Sequence, residues 1–98
     1  MFVRIIKTYR DVVAVCDTEI LGKKFEENNL QLDVKESFYK GEERNEEEAI
    51  RIMQRMAMED ATFNIVGEKS TEAAIKAGII SEDNIQMVQN IPFALKLI

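Results

Sequence analysis

The sequence predicts one α+β domain over residues 1–98, a two-layer sandwich in which a mixed sheet of five to six strands carries three helices mainly on one face. Three observations predict this class. Two short β-branched runs open the chain as a hairpin, an amphipathic helix occupies the middle, and a strand–turn–helix unit precedes the last strands. A three-layer α/β arrangement is the alternative, because each strand–helix–strand unit could cross over in the right-handed sense.

The N-terminal hairpin is predicted from residues 2–8 (FVRIIKT) and 11–16 (DVVAVC), with a turn at residues 8–11. Both runs are apolar on both faces, which is typical of strands that helices cover on at least one side. We therefore expect both strands to lie in the interior of the sheet.

The next two segments are assigned from their spacing. Asp17 is expected to cap a helix over residues 18–27, since Ile20, Leu21 and Phe25 recur at helical spacing, although Gly22 weakens that helix by about 1 kcal/mol relative to Ala. Residues 30–39 alternate between apolar and polar side chains, which predicts a strand with one face in water. Tyr39 falls on the polar face of that predicted strand.

A helix from Asn45 to about Asp60 is the most strongly marked element. Asn45 followed three residues later by Glu48 forms a capping-box signature, and acidic residues suit the positive end of the helix. The outer face is expected to carry the i,i+4 ion pairs Glu47–Arg51 and Arg55–Glu59. The buried stripe is expected to consist of Ala49, Ile52, Met53, Met56 and Ala57.

Residues 62–80 predict a strand, a turn at Gly67, a helix and a stop at Gly78. Ser70 or Thr71 is the expected N-cap of that helix. Strands are also expected at residues 85–88 and 93–98, with Pro92 forcing an extended or turn geometry on the residue before it.

Composition narrows the classes of function. A net charge of −5 argues against tight binding to bare nucleic acid, where basic side chains must replace phosphate counterions. No apolar run approaches the ~20 residues of a membrane helix, and one cysteine allows no internal disulfide. We therefore expect a cytoplasmic protein without membrane contact, whose many Glu and Lys residues resemble a thermophile composition.

The string Gly67-Glu68-Lys69-Ser70-Thr71 is the nearest approach to a phosphate-binding loop. Glu68 separates the glycine from the lysine, so an ordinary strand–turn–helix is favoured, although free amides at the helix start could hold an anion. Asn64 is the polar residue of the preceding strand that packing does not explain. The candidate ligand or partner site therefore consists of Asn64, Gly67, Lys69, Ser70 and Thr71.

Catalytic and metal chemistry find little support. There is no histidine to carry protons near neutral pH, and Cys16 lies in an apolar strand that favours a buried, inert thiol. We expect no cofactor and no metal. The acidic residues Glu42, Glu43, Glu46 and Glu47 are interpreted as solvated capping charge, with a hard-cation site or a docking patch for a basic partner as the alternative.

A weaker candidate is a surface for single-stranded RNA. Its members would be Tyr9 and Arg10 at the hairpin tip and Lys35, Tyr39 and Lys40 on the polar strand face. Without a broader basic field, we do not favour it.

Three motifs stand out together: the strand and turn at residues 63–67 (FNIVG), the helix end at 77–80 (AGII) and the segment at 91–94 (IPFA). With these motifs the chain resembles a family of small archaeal proteins, the domain of unknown function DUF424. The resemblance, which includes the N-terminal hairpin, covers nearly the whole chain. It implies an archaeal protein without an assigned activity, loosely associated with translation. The family's late motif reads Gly-Val-Pro-His-Ala-Gln, whereas this chain carries Phe93 and Leu95 at its polar positions, which places any chemistry of those positions in doubt.

These observations favour a non-catalytic interaction module with a protein or ribonucleoprotein partner. One alternative is a small-molecule or nucleotide binder that uses the Gly67 turn and the helix N-terminus. The other is an enzyme that depends on carboxylates or on Lys69, whose discriminating feature would be a concave pocket shared by Lys69, Asn64 and a glutamate.

Overall fold

The computed structural model describes residues 1–97. Its main sheet has six strands in the order β5-β1-β2-β6-β8-β7, and a separate two-stranded sheet pairs β3 with β4. Three α-helices complete the fold, and none of them is long and apolar enough to cross a bilayer. The elements are β1 (Phe2–Ile6), β2 (Val12–Cys16), β3 (Lys24–Glu27), β4 (Leu30–Asp33), α1 (Glu36–Tyr39), β5 (Glu42–Glu43), α2 (Glu46–Met58), β6 (Thr62–Val66), α3 (Glu68–Lys76), β7 (Gln86–Val88) and β8 (Ile91–Lys96).

The predicted fold class is confirmed. The sheet is mixed, because β2 and β6 run parallel while β1–β2, β1–β5, β6–β8 and β7–β8 are antiparallel. The N-terminal hairpin pairs Phe2 with Cys16 and Ile6 with Val12, which places β1 and β2 inside the sheet as expected.

The two faces of the sheet are covered differently. The helices α2 and α3 pack on one face, where Met53 and Ala74 meet Val13, Phe63 and Ile65. The opposite face is covered in part by α1 and the β3–β4 sheet over a second cluster, which includes Ala14, Cys16, Leu32, Val34, Tyr39, Val66 and Val88. Burial of both faces explains why β2 reads as a continuous apolar run.

The helix expected over residues 18–27 is wrong. The chain makes a short 3-10 turn at Thr18–Ile20 and then enters β3. Gly22 adopts a φ of +83°, and its N–H donates to the carbonyl of Val34 at 2.7 Å, which turns the segment into the β3–β4 pair. The low helix propensity of Gly22 therefore correctly indicated that this segment is not a helix.

The strand expected over residues 30–39 is correct only as far as Asp33. The carbonyl of Lys35 then accepts hydrogen bonds from the amides of Phe38 and Tyr39, which begins the one-turn helix α1. Tyr39, expected in water, is only 8% exposed, and its ring packs edge-on against that of Phe38. Alternation and a single helical turn cannot be distinguished over so few residues.

The helix α2 begins as predicted but differs on its outer face. The side chain of Asn45 accepts from the amide of Glu48, and the Glu48 carboxylate accepts in return from the amide of Asn45. The predicted ion pairs Glu47–Arg51 and Arg55–Glu59 are not formed within residues 1–97. Arg51 and Arg55 consequently remain exposed cations.

The C-terminal strands follow the prediction closely. The segment expected at residues 85–88 is β7, and the one expected at 93–98 belongs to β8, although Ile98 lies outside the described residues. Gln89 and Asn90, both at positive φ, form the two-residue turn between them. Pro92 stands inside β8, opposite Met87.

Candidate functional site

The N-terminus of α3 belongs to the predicted ligand or partner site, and the carboxylate of Asp17 occupies it. Asp17 Oδ2 accepts from the amide of Lys69 at 3.0 Å, and Oδ1 accepts from the amide of Ser70 at 2.8 Å and from its hydroxyl at 2.7 Å. Asp17 and Ser70 are both buried. The anion that the helix N-terminus favours is thus supplied by the end of β2.

The expected cap at Ser70 or Thr71 is wrong, because the N-cap is Gly67 and both residues lie within the helix. The hydroxyl of Thr71 donates back to the carbonyl of Gly67 at 2.9 Å. Gly67 has a φ of +109°, and a Cβ at this position would lie 2.6 Å from Asp17 Oδ1. Glycine is therefore required by both the backbone angle and the approach of the carboxylate.

This arrangement bears on the nucleotide alternative, which stays a prediction. A phosphate at this helix end would have to displace Asp17, and it would meet the added charge of Glu68 in the first turn. The geometry therefore offers that alternative no observation in its favour.

Asn64 is separated from the other candidate residues by the sheet. Its neighbours Phe63 and Ile65 face α2 and α3, so Asn64 projects from the opposite face, where its cross-strand partners are Ala14 and Leu95. It is half-buried, and its side chain makes no hydrogen bond among residues 1–97. The enzyme hypothesis requires one pocket that contains Asn64, Lys69 and a glutamate. Asn64 and Lys69 do not lie on the same face of the sheet.

The two replacements in the late motif lie on the same face as Asn64. Phe93 pairs with Val66 and packs against the second apolar cluster, while Leu95 is 55% exposed beside Asn64. Both therefore serve as apolar surface on that side of the sheet.

The acidic residues are dispersed. Glu42 pairs with Arg44 at 3.1 Å, and Glu46 pairs with Lys76 at 3.0 Å, whereas Glu43 and Glu47 are exposed. No group of three or more potential metal-ligating side chains occurs within the described 97 residues. The acidic residues thus supply ion pairs and capping charge at this end of the molecule.

Two buried ionisable groups are held in their neutral forms. Burial raises the pKa of the Cys16 thiol to about 12, with the charge of Asp17 as a smaller cause. Burial likewise raises the pKa of the Tyr39 hydroxyl to about 12. A thiol with this pKa is a poor nucleophile at neutral pH, and a buried Tyr39 cannot stack on RNA.

A concave surface that the sequence did not predict lies beside β1. Two cavities of about 420 and 350 Å³ share Arg44 and Ile52 in their walls. The first follows the outer edge of β1 past Lys40, and the second runs along the outer face of α2. We call the continuous surface the edge groove. Its cationic members are Arg4, Lys40, Arg44, Arg51 and Arg55, and its carboxylates are Glu42 and Glu48.

The cations of the edge groove are unequally neutralised. Arg44 lies 3.1 Å from Glu42 and 3.9 Å from Glu48, and Arg4 donates to the carbonyl of Ser37. By contrast Lys40, Arg51 and Arg55 are exposed and form no ion pair within residues 1–97. On a chain of net charge −5, the edge groove is a local positive region.

The edge groove also contains unpaired backbone. Met1 and Arg44 exchange two hydrogen bonds, and in this register the next exchanging pairs are Val3 with Glu42 and then Ile5 with Lys40. The last pair does not form, because the amide of Lys40 donates to Glu36 in α1. The N–H and C=O of Ile5 therefore face outward into the first cavity.

Sequence reasoning missed this site for an identifiable reason. Arg51 and Arg55 are spaced i,i+4 on one helix face, but the sequence predicts an ion pair with a glutamate of the same helix for each of them. Arg4 and Lys40 join them only through the strand order, in which β1 lies next to the two-residue edge strand β5.

Comparisons with known proteins identify a family and a solved structure that this chain is similar to. The profile of a family described as Protein of unknown function (DUF424) matches residues 6–97. The crystal structure of an uncharacterized conserved protein from Methanopyrus kandleri superposes with a TM-score of 0.86 at 24% identity, covering 96% of this chain and 87% of that one, and it shows a shared fold. No curated protein matches. Because the family profile spans nearly the whole sequence, the chain belongs to DUF424, a family of unknown function.

Proposed function

We propose that this protein is a non-catalytic interaction module that binds a partner through the edge groove. The observation that carries the proposal is the coincidence of outward-facing backbone at Ile5 with the exposed, unpaired cations Lys40, Arg51 and Arg55. Sheet edges are ready templates for another chain, and proteins usually pair or cover them. Here β5 pairs with β1 only at Phe2 and Val3.

The construction of this edge supports the proposal. Gly41 brings the segment before β5 against β1 so closely that a Cβ would lie 2.7 Å from the carbonyl carbon of Val3. On the N-terminal side of Gly41, Lys40 is the C-cap of α1, and its amide donates to Glu36 instead of pairing with β1. The result is a cavity beside the strand, with Val3, Ile5 and Lys40 in its wall.

The organism and the cellular role are part of the same proposal. The family resemblance implies an archaeal, cytoplasmic protein associated with translation, and the solved neighbour from Methanopyrus kandleri is compatible with an archaeal origin. A protein or ribonucleoprotein partner fits a small basic surface on an otherwise acidic molecule.

The test is co-purification from native cells at low and at high salt, with the bound proteins compared between two variants. R51E/R55E reverses two cations of the edge groove, and K23E/K35E applies the same charge change to exposed lysines elsewhere. We expect one partner to be retained by the wild type and K23E/K35E and lost by R51E/R55E. Retention of every partner by R51E/R55E would overturn the proposal.

A further inference from the structure

We infer that the occupant of the edge groove is an acidic peptide segment that binds in extended conformation and adds a strand to β1. This inference rests on the proposed function and names the class of its partner. Two independent features lead to it: the direction of the unpaired backbone groups of β1, and the side of the sheet on which the unpaired arginines lie.

The backbone direction follows from both neighbours of β1. Asp11 accepts from the amide of Thr62, and the amide of Asp17 donates to Val66, so the odd-numbered residues of β2 turn their backbone groups to β6. The even-numbered residues Val12, Ala14 and Cys16 consequently bond to β1, through Ile6, Arg4 and Phe2. The backbone of Ile5 must then point away from β2, in agreement with the register of β5.

An added strand would restore the missing partner of Ile5. A peptide opposite Ile5 accepts from its N–H and donates to its C=O, as Lys40 would if β5 continued. Such backbone pairing contributes affinity without selecting a sequence, so selectivity must come from the side chains that flank the peptide.

Those side chains favour acidic residues at alternating positions. Met1 packs in the core beneath α2 and α3, and its pairing partner Arg44 is on the same side of the sheet as α2. Arg51 and Arg55 extend this side along α2. Because successive side chains of a strand alternate between faces, every second residue of the peptide would face the side of the sheet on which the unpaired Arg51 and Arg55 lie. Carboxylates there form charge-assisted hydrogen bonds.

A peptide suits the edge groove better than RNA. Phosphates supply no N–H for the carbonyl of Ile5, and Glu42 and Glu48 lie among the cations. Within residues 1–97, four cations of the edge groove have no carboxylate partner, namely Arg4, Lys40, Arg51 and Arg55, and four are few for binding that depends on release of counterions. RNA is therefore an alternative outcome of the test.

The binding experiment uses a fluorescein-labelled peptide of about nine residues that alternates Glu with Thr, titrated with the full protein at low salt and followed by fluorescence anisotropy. We expect saturable binding that weakens about tenfold or more in R51E/R55E and is unchanged in K23E/K35E. A peptide with Lys in place of Glu should not bind. Equal binding by R51E/R55E, or tighter binding of an oligouridylate than of the peptide, would overturn the inference.

Strand addition itself is tested by N-methylation of alternate peptide residues, which removes the donors and keeps the charge. We expect one of the two methylation registers to lose about tenfold in affinity, since a strand offers donors to its partner at every second residue. Equal affinity of both methylated peptides would show purely electrostatic binding and refute strand addition.

Amide hydrogen exchange gives a direct readout at the proposed position. In the protein alone, the amide of Ile5 should exchange rapidly while those of Arg4 and Ile6, bonded to β2, are protected. The acidic peptide should slow exchange at Ile5. A peptide that binds while Ile5 continues to exchange rapidly would refute strand addition.

The two proposals can fail separately. If the peptides do not bind but a native partner still depends on Arg51 and Arg55, the partner class is wrong and the interaction module stands. If neither the peptides nor any native partner depends on these arginines, both proposals fall.

Discussion

The N-terminus of α3 and the edge groove both contain backbone groups without a partner in their own element, but only those of α3 are bonded by another part of the chain. Each presents backbone groups that secondary structure leaves without a partner, and each has a glycine that permits a close approach. At α3 the chain supplies its own anion, Asp17, from another element. At β1 the pairing strand stops after Val3, and Ile5 receives no partner. Backbone groups that bond to another part of the chain, as at α3, contribute to stability. Backbone groups without a partner beside unpaired cations, as at Ile5, are where we expect a ligand to bind.

Replacing Asp17 by alanine should produce the largest change in stability. The substitution leaves two amides and the buried hydroxyl of Ser70 without an acceptor, so we expect a loss of about 3–4 kcal/mol in the free energy of unfolding. D17N, which keeps one oxygen acceptor, should lose about half as much. Urea unfolding followed by circular dichroism measures both. A loss for D17A no greater than that for D17N would contradict this description of α3.

Gly67→Ala should be the next most destabilising substitution. Its Cβ would lie 2.6 Å from Asp17 Oδ1, and the backbone φ of +109° is strained for alanine, so we expect a loss of about 2–3 kcal/mol. Gly78→Ala is the matched control, since its φ is also positive but no atom lies within 4 Å of the added Cβ. That control should lose about 1 kcal/mol, from the backbone alone. Thermal unfolding measures both variants. An equal decrease in their melting temperatures would show that the close approach of Asp17 does not contribute to the requirement for glycine at position 67.

The alkaline limit of stability tests whether the end of β2 is closed to water. The Cys16 thiol has a pKa near 9.0 when unfolded and about 12 in the fold, so the folded state binds more protons between these values. Its contribution is complete below pH 9, and above it stability should fall by about 1.4 kcal/mol per pH unit. Tyr39 adds a similar loss above pH 10. In Cys16→Ala the decline should begin only near pH 10, and an unchanged profile in urea unfolding would argue against burial of the thiol.

The parts of the fold that the sequence predicted correctly are those whose signals are local. The capping box at Asn45 and Glu48, the strand before Gly67 and the stop at Gly78 each depend on neighbours within a few residues. At Gly78, for example, the amide of Ile79 bonds back to Ala74, as expected for such a helix end. These signals survive because tertiary contacts reinforce them.

The failures share the opposite property. The segment after Asp17 became a turn and a strand because Gly22 bonds to Val34, which is distant in sequence. The cap of α3 was misassigned because its true acceptor, Asp17, lies 53 residues before Ser70. The edge groove likewise depends on strand order, which local patterns do not specify. For this chain, the candidate site was hard to predict because only the strand order brings Arg4 and Ile5 beside the arginines of α2.

Substitutions in the edge groove should change the free energy of unfolding least, and a small change would show that its arginines are not needed for the fold. The double substitution R51A/R55A removes two exposed cations that make no ion pair within residues 1–97, so the free energy of unfolding should change by no more than about 0.5 kcal/mol. Urea unfolding of R51A/R55A beside D17A makes the comparison in one series. A loss above about 1 kcal/mol would mean that these arginines stabilise the fold. Their effect on a partner could then not be separated from an effect on the fold, and the contrast between a filled and an open backbone site would fail.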